Sequence, residues 1–243
     1  RLGSKKMKGS ADSSVAFALT DAGGDKASAT AGGTTEAIGK PFRDSEYVVE
    51  WKASISPSTI APGETGILKF TAKPDATFHV YKSTTDDSDS STNFVVTEKD
   101  GMQIGEPVAD KPTVTQSVLP TMQVSYYKGP VTWQMPFKVP EGTASGEKTI
   151  VGMIGYQACT DTSCRQPMAL KFTAKVNVAD ETVNKPEAVA LVAAKRAEVL
   201  DAAAETKWVD PVKLNASTGA SQPKASDQAA TLPGAASQGG DDS

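Results

Sequence analysis

KTIVGMIGYQACTDTSCRQPMALKFTAKVNV, residues 148–178, holds both cysteines of this 243-residue chain between two β-like runs. The run before Cys159 is rich in β-branched residues. After Cys164, the side chains Met168, Leu170, Phe172, Ala174, Val176 and Val178 alternate with mostly polar ones, the period of a half-buried strand. The stretch therefore predicts a β-hairpin with the cysteine pair at its tip. A disulfide needs Cα atoms about 4.4–6.8 Å apart, and opposed residues on antiparallel strands lie about 4.5–5.5 Å apart, so a four-residue turn places the two thiols in bonding register.

What such a bond is for stays open on spacing alone. As a staple it closes a short loop and contributes only about 2 kcal/mol, the low end for disulfides. As a redox pair it is the minimum equipment for thiol–disulfide exchange. Two idle thiols this close together would be a coincidence. Zinc is weaker, since a tetrahedral site wants four ligands, or three plus water, and the single histidine, His79, lies far away in the segment FHVYK. Hydrolase chemistry also lacks its parts, because His79 has no persuasive Ser or Asp partner and reads as a packed or surface residue.

Outward from the hairpin, strand runs are broken by Gly, Pro, Asp and Ser at the spacing of an all-β sandwich. Tyr47, Val49, Trp51 and Ala53 alternate against Val48, Glu50, Lys52 and Ser54; Leu68, Phe70 and Ala72 repeat that period after the Pro62-Gly63-Glu64 turn. A third strand is expected near Thr77–Lys82, then a solvated loop, STTDDSDSST, from Ser83 to Thr92, with Phe94–Thr97 resuming the pattern. Val131, Trp133, Met135 and Phe137 alternate up to the turn Pro140-Glu141-Gly142 and are read as core.

Around this domain of residues 45–180, composition assigns two weak flanks. Residues 1–44 are a low-complexity segment expected to be disordered, with one short apolar patch, Val15–Leu19. Residues 214–243 read as a polar linker or tail, in which the sequon at Asn215 is incidental. Between domain and tail, 181–213 is expected to be a helical extension. Pro186 sits at the start, Asn184 near the cap, and EAVALVAAKRAEVLDAAAE supplies strong helix formers with Val189, Val192, Val199 and Leu200 on one face and Trp208 as an anchor.

Charge narrows the function classes. A net charge of −4 and an isoelectric point near 5.2 provide no basic stripe, so neither nucleic acid nor anionic lipid is indicated. The apolar runs fall short of the roughly 18–20 residues that cross a bilayer. No basic, hydrophobic and small-residue signal pattern opens the chain at Arg1, which suggests a piece of something longer.

The motif YQACTDTSC with Pro167 shortly after resembles the N-terminal periplasmic domain of the thiol:disulfide interchange protein DsbD family. The resemblance extends more loosely over Ile55–Val178, through the Pro62–Glu64 turn, the aromatic strand Phe78–Tyr81 and SYYKGPVTWQMPFKVP. It implies an immunoglobulin-like β-sandwich in which Cys159 and Cys164 cycle between dithiol and disulfide, without a cofactor or metal. It assigns the intermolecular bond to Cys164. It also implies an aromatic cap over the pair, at Tyr126 and Tyr127 followed by Lys128 and Gly129; where the family carries acidic residues and a phenylalanine, this chain has Val124, Ser125 and Tyr126. Arg165 favours a thiolate beside it and Asp161 opposes it.

The partners implied are the membrane-embedded and thioredoxin-like domains of the same parent protein, and periplasmic disulfide isomerases or cytochrome c maturation thiol proteins. The domain is expected to be a periplasmic monomer tethered to the inner membrane. The alternative is a noncatalytic immunoglobulin-like interaction module with a structural hairpin disulfide; a soft-metal carrier using both thiolates is a third.

Overall fold

The computed structural model describes residues 40–43, 45–46, 48–83, 91–119, 122–210 and 214. The chain divides into 1–34 and 35–243, and all of these residues belong to the second unit. The expectations for Val15–Leu19 and for the Asn215 sequon lie outside the described residues.

The first half contributes β1 (Phe42–Arg43), β2 (Val49–Ser56), β3 (Thr59–Ile60), β4 (Thr65–Pro74), β5 (His79–Tyr81), β6 (Asn93–Glu98), β7 (Gln103–Ile104) and β8 (Val108–Ala109). There follow β9 (Val114–Leu119), β10 (Met122–Tyr127), β11 (Val131–Lys138), β12 (Gly146–Tyr156), β13 (Ala158–Cys159), β14 (Met168–Val178), β15 (Glu187–Ala188), β16 (Ala190–Ala194) and the helix α1 (Arg196–Ala203).

Two sheets form an immunoglobulin-like sandwich. One runs β1-β2-β4-β11-β7, with β15 on β2 and β8 on β11; the other runs β16-β14-β12-β6, with β3 added parallel to β14. The inward residues are the ones whose period marks them: Trp51, Phe70 and Trp133 from the first sheet, and Phe94, Tyr156 and Phe172 from the second, all buried. They meet across the layers, with Trp51 and Tyr156 ring centroids 5.0 Å apart and Phe70 and Phe172 4.7 Å apart. Rings of this size bury 150–250 Å² each and dominate such a core. Pro62-Gly63 turns the chain as expected, with Gly63 at φ +88°, a conformation that only glycine adopts without strain.

The predicted hairpin forms, and then does something its sequence does not announce. β12 and β14 stay paired from Gly146–Val178 up to Tyr156–Met168, where the ladder ends. The chain then leaves the sandwich, and β13 joins a third, smaller sheet of order β13-β5-β10-β9. The Gln157 side chain spans the departure, donating from Nε2 to the Arg165 carbonyl at 2.9 Å.

Several expectations need correction. The extension after residue 180 is not helical from Pro186: β15 pairs with β2, and β16 pairs with β14 along Ala169–Thr173. Val189, buried between them, donates its backbone N–H to the Ala53 carbonyl at 3.0 Å. Helix propensity is worth a few tenths of a kcal/mol per residue, less than the backbone bonds gained by covering two exposed sheet edges. Among the described residues of the extension, the helix is confined to Arg196–Ala203, with Val199 buried and Val192 left 55% exposed.

Phe42 and Arg43, assigned by composition to the flank, pair with Trp51 and Glu50 on β2. Leu214, assigned to the tail, is 1% exposed and packs against Gly105. The end of the supposedly solvated Ser83–Thr92 loop is also buried, since Thr92 is fully enclosed and donates its hydroxyl to the Tyr81 carbonyl at 2.8 Å. In each case a polar or low-complexity neighbourhood in sequence conceals one residue that the fold needs.

Candidate functional site

The cysteine turn is organised by its own hydroxyls. The Thr160 Oγ1 accepts from the backbone N–H groups of Thr162 (3.3 Å) and Ser163 (3.1 Å), holding the four residues between the sulfurs in a tight turn. The Thr160 N–H donates to the Ser163 carbonyl (2.8 Å), and the Arg165 N–H to the Ala158 carbonyl (2.9 Å). These bonds flank Cys159 and Cys164 without involving their own backbones, the arrangement that brings opposed residues of an antiparallel pair closest. The Cα atoms are 4.0 Å apart, and the sulfurs are joined in a disulfide.

The two sulfurs live in different surroundings. Cys159 is fully buried, whereas Cys164 is exposed. The reason lies in the third sheet. β13 pairs with β5, placing Ala158 opposite Val80 and Cys159 opposite His79; β10 pairs with the other edge of β5, placing Tyr126 opposite Tyr81 and Tyr127 opposite Val80. Directly opposed residues share a face of the sheet. One face therefore carries Ala158, Val80 and Tyr127, all buried against the sandwich, and the other carries Cys159, His79, Tyr81 and Tyr126.

This separates the two tyrosines expected to cap the pair. Tyr126 lies on the disulfide's face, where its ring stacks on His79 with centroids 4.0 Å apart at 28°, and its hydroxyl donates to Gln116 at 3.3 Å. Tyr127 does not cap; it points inward, is 4% exposed and meets Trp133 edge-on at 5.4 Å. Adjacent residues of a strand face opposite ways, so both cannot shield one site. Both tyrosines belong to strand β10, which pairs with β9 on one edge and with β5 on the other.

A cleft of about 510 Å³ opens beside the pair, lined by Phe78, His79, Tyr126, Lys128, Asp161 and Thr162 among others. The Tyr81 hydroxyl is 3.9 Å from the Cys164 Sγ. Arg165 directs its guanidinium over the Phe78 ring, 5.4 Å from the centroid, and to the Glu46 carboxylate at 3.9 Å. Its charge is thus shared with a carboxylate.

His79 is the residue that sequence distance concealed. It is remote from the cysteines along the chain and directly opposite Cys159 in the sheet, so the reading that set it far from the pair is corrected. It is 8% exposed, and its ring also meets Tyr81 edge-on at 5.5 Å. Burial pushes the imidazole below its ordinary 6.5, and the nearby Asp161 carboxylate pulls it partly back. Burial raises the Tyr81 phenol above 10, with Tyr126 adding to the rise. Both rings are therefore uncharged at neutral pH. The signal that could have found His79 and Tyr81 is the alternation in FHVYK, which puts both on one face. Among the described residues, no group of three or more His, Cys, Asp or Glu side chains is placed to hold a metal ion.

Chemically, an exposed sulfur bonded to a buried one defines where exchange begins. An incoming thiolate can reach the exposed Cys164, with Cys159 as the leaving group that the fold would retain. An all-β sandwich with a half-exposed disulfide at the end of its hairpin is the class of protein this architecture defines. The sequence profile of the family described as thiol:disulfide interchange protein DsbD, N-terminal, matches residues 44–176, and the chain belongs to that family of thiol:disulfide exchange domains. Among solved structures, the chain is similar to the reduced N-terminal domain of DsbD from Neisseria meningitidis, at 11% identity and a TM-score of 0.32 over 57% of this chain and 89% of that one. It is also similar to the N-terminal periplasmic domain of ScsB from Proteus mirabilis, at 8% identity and a TM-score of 0.38 over 56% of this chain and 49% of that one. The chain has no match among curated proteins.

Proposed function

We propose that this domain relays electrons through reversible opening of the Cys159–Cys164 disulfide, taking them from a membrane-embedded donor within its parent protein and passing them to oxidised periplasmic thiol proteins. The observation that carries this reading is the asymmetry of the pair, with Cys159 fully buried and Cys164 exposed. A staple needs no such asymmetry. A relay does, because one sulfur must meet the partner while the other waits to close the ring.

In the outward half-reaction the Cys164 thiolate attacks a partner disulfide and forms a mixed disulfide. Cys159 then attacks the Cys164 Sγ, restoring the internal bond and releasing the partner reduced. Membership of the family supports this cycle, as do the tight turn that keeps the sulfurs together and the cleft beside them. Disulfide isomerases and cytochrome c maturation thiol proteins are the clients we favour. Among the described residues no helix is long and apolar enough to cross a membrane, so the donor is assigned to another part of the parent protein. In this reading the domain is monomeric, works in the periplasm tethered to the inner membrane, and acts as a protein-disulfide reductase without a further cofactor. Tyr126 shields the pair, while Asp161 and Arg165 set its electrostatics.

The test is an equilibrium redox titration of the pair against glutathione or dithiothreitol buffers, read by thiol trapping and mass. A reversible transition above about −300 mV, with the fold kept in both states, is expected. A bond that opens only under stronger reduction, with unfolding, makes it a staple and the domain an interaction module.

A further inference from the structure

The ring-closing half of the cycle has an obstacle that the geometry exposes. Cys159 must act as a thiolate, yet it is fully buried, and burial holds a thiol in its protonated form. Water does not reach it to take the proton. The side chain directly across the ladder is His79, and opposed residues of an antiparallel pair hold their Cβ atoms about 4.5–5.5 Å apart on one face. That ring is held in place on two sides, stacked on Tyr126 and edge-on to Tyr81.

We propose that His79 is the proton acceptor for Cys159 when the internal disulfide re-forms. The proposal rests on the exchange function set out above and adds the group that makes its buried sulfur reactive. The Cys159 Sγ–H gives its proton to a ring nitrogen of His79 while the sulfur's electron pair forms the bond to Cys164 Sγ. The bond between Cys164 and the partner sulfur breaks, and the partner leaves as a thiolate with that electron pair. The proton passes from the imidazolium to the departing thiolate or to water in the cleft. Two electrons leave the cysteine pair and reduce the partner disulfide, and no other reactant is needed. When the disulfide is opened by an incoming thiolate the same path runs backwards, with the imidazolium protonating Cys159 as it is expelled.

The titratable and charged groups around the ring fit an acceptor. Tyr81 on its own strand and Tyr126 on β10 are phenols; Lys128 follows β10 at the cleft, and Asp161 approaches from the cysteine turn. With the ring neutral at pH 7, the acceptor is available. Asp161 steadies the imidazolium once it forms.

The experiment uses the reduced protein and the aromatic disulfide 5,5′-dithiobis(2-nitrobenzoate), followed by rapid mixing. Attack by Cys164 releases the first nitrothiolate at a rate proportional to reagent; closure by Cys159 releases the second at a rate independent of it. Two variants are compared, His79→Gln, and His79→Phe, which keeps an aromatic ring against Tyr126. The expected result in both is a second phase slowed at least about tenfold at pH 7 and rising with pH well into the alkaline range, a loss and a pH dependence that the first phase does not share. A merely structural role for the ring does not move the pH profile of the second phase alone. A second phase with the parent rate and pH profile in either folded variant overturns the role of His79 and leaves the exchange function standing. A parent protein that never releases the second equivalent overturns both.

Discussion

The hydroxyl of Tyr81 lies 3.9 Å from the Sγ of Cys164. A disulfide sulfur carries no hydrogen, so the phenol is the donor, and its raised pKa keeps it one at neutral pH. In the reduced domain the same hydroxyl is expected to stabilise a thiolate at Cys164. Tyr81→Phe removes it, and alkylation of Cys164 by iodoacetamide at pH 7 is expected to slow about fivefold, the equivalent of about 1 kcal/mol. An unchanged rate removes Tyr81 from the account of reactivity.

The burial difference between the two cysteines predicts unequal variants. Cys159→Ser leaves the exposed Cys164 thiol, which should trap partners as a stable mixed disulfide. Cys164→Ser leaves the enclosed thiol of Cys159, expected to react with the same reagents at least about tenfold more slowly. Equal rates would show that the fold opens around Cys159 on the timescale of labelling.

Tyr126 stacks on His79, which in turn opposes Cys159, and in the proposed cap role its ring covers the approach to the pair from the cleft. Tyr126→Ala is predicted to speed alkylation of the reduced thiols by about threefold or more, since a half-buried ring is replaced by open space. No change in rate would sink the cap role. Tyr127→Ala tests something different, because that ring belongs to the core; its effect is on stability, about 3 kcal/mol.

Stability should depend on pH through His79. Its folded pKa lies below the ordinary 6.5 because of burial, opposed by Asp161. Above about pH 6.5 both folded and unfolded chains hold the ring neutral and the contribution is constant. As pH falls below that value the unfolded chain takes up the proton first, so stability declines until the folded ring is protonated as well. Melting temperatures of the oxidised protein between about pH 5 and 8 check this, and His79→Phe should flatten that part of the curve.

Gly152 leaves no room for a side chain between β6 and the core of the second sheet. A Cβ there would stand 2.2 Å from the Val95 carbonyl oxygen and 2.4 Å from the Phe172 ring. A backbone carbonyl in a paired strand has nowhere to go, so Gly152→Ala is expected to cost about 1–3 kcal/mol, measured by urea unfolding. An equally stable variant would mean that β6 shifts freely, which the register irregularity beside Gly152 makes the point to inspect.

Much of this protein is written in local pattern. The period-two runs of Val49–Ile55, Leu68–Ala72 and Val131–Phe137 are the core strands, because a pleated backbone sends alternate side chains to one face and that face must be apolar to be buried. The spacing of Cys159 and Cys164 was enough to place them in bonding register across a turn. Alternation also says that Tyr126 and Tyr127 face opposite ways, but not which of them faces the core. That choice, the conversion of 187–194 from helix former to edge strand, and the burial of Leu214 depend on partners distant in the chain. So does the pairing of His79 with Cys159. Sheet register is set by the packing of whole layers, and a contact made across a ladder between remote strands leaves no trace in the residues beside either partner.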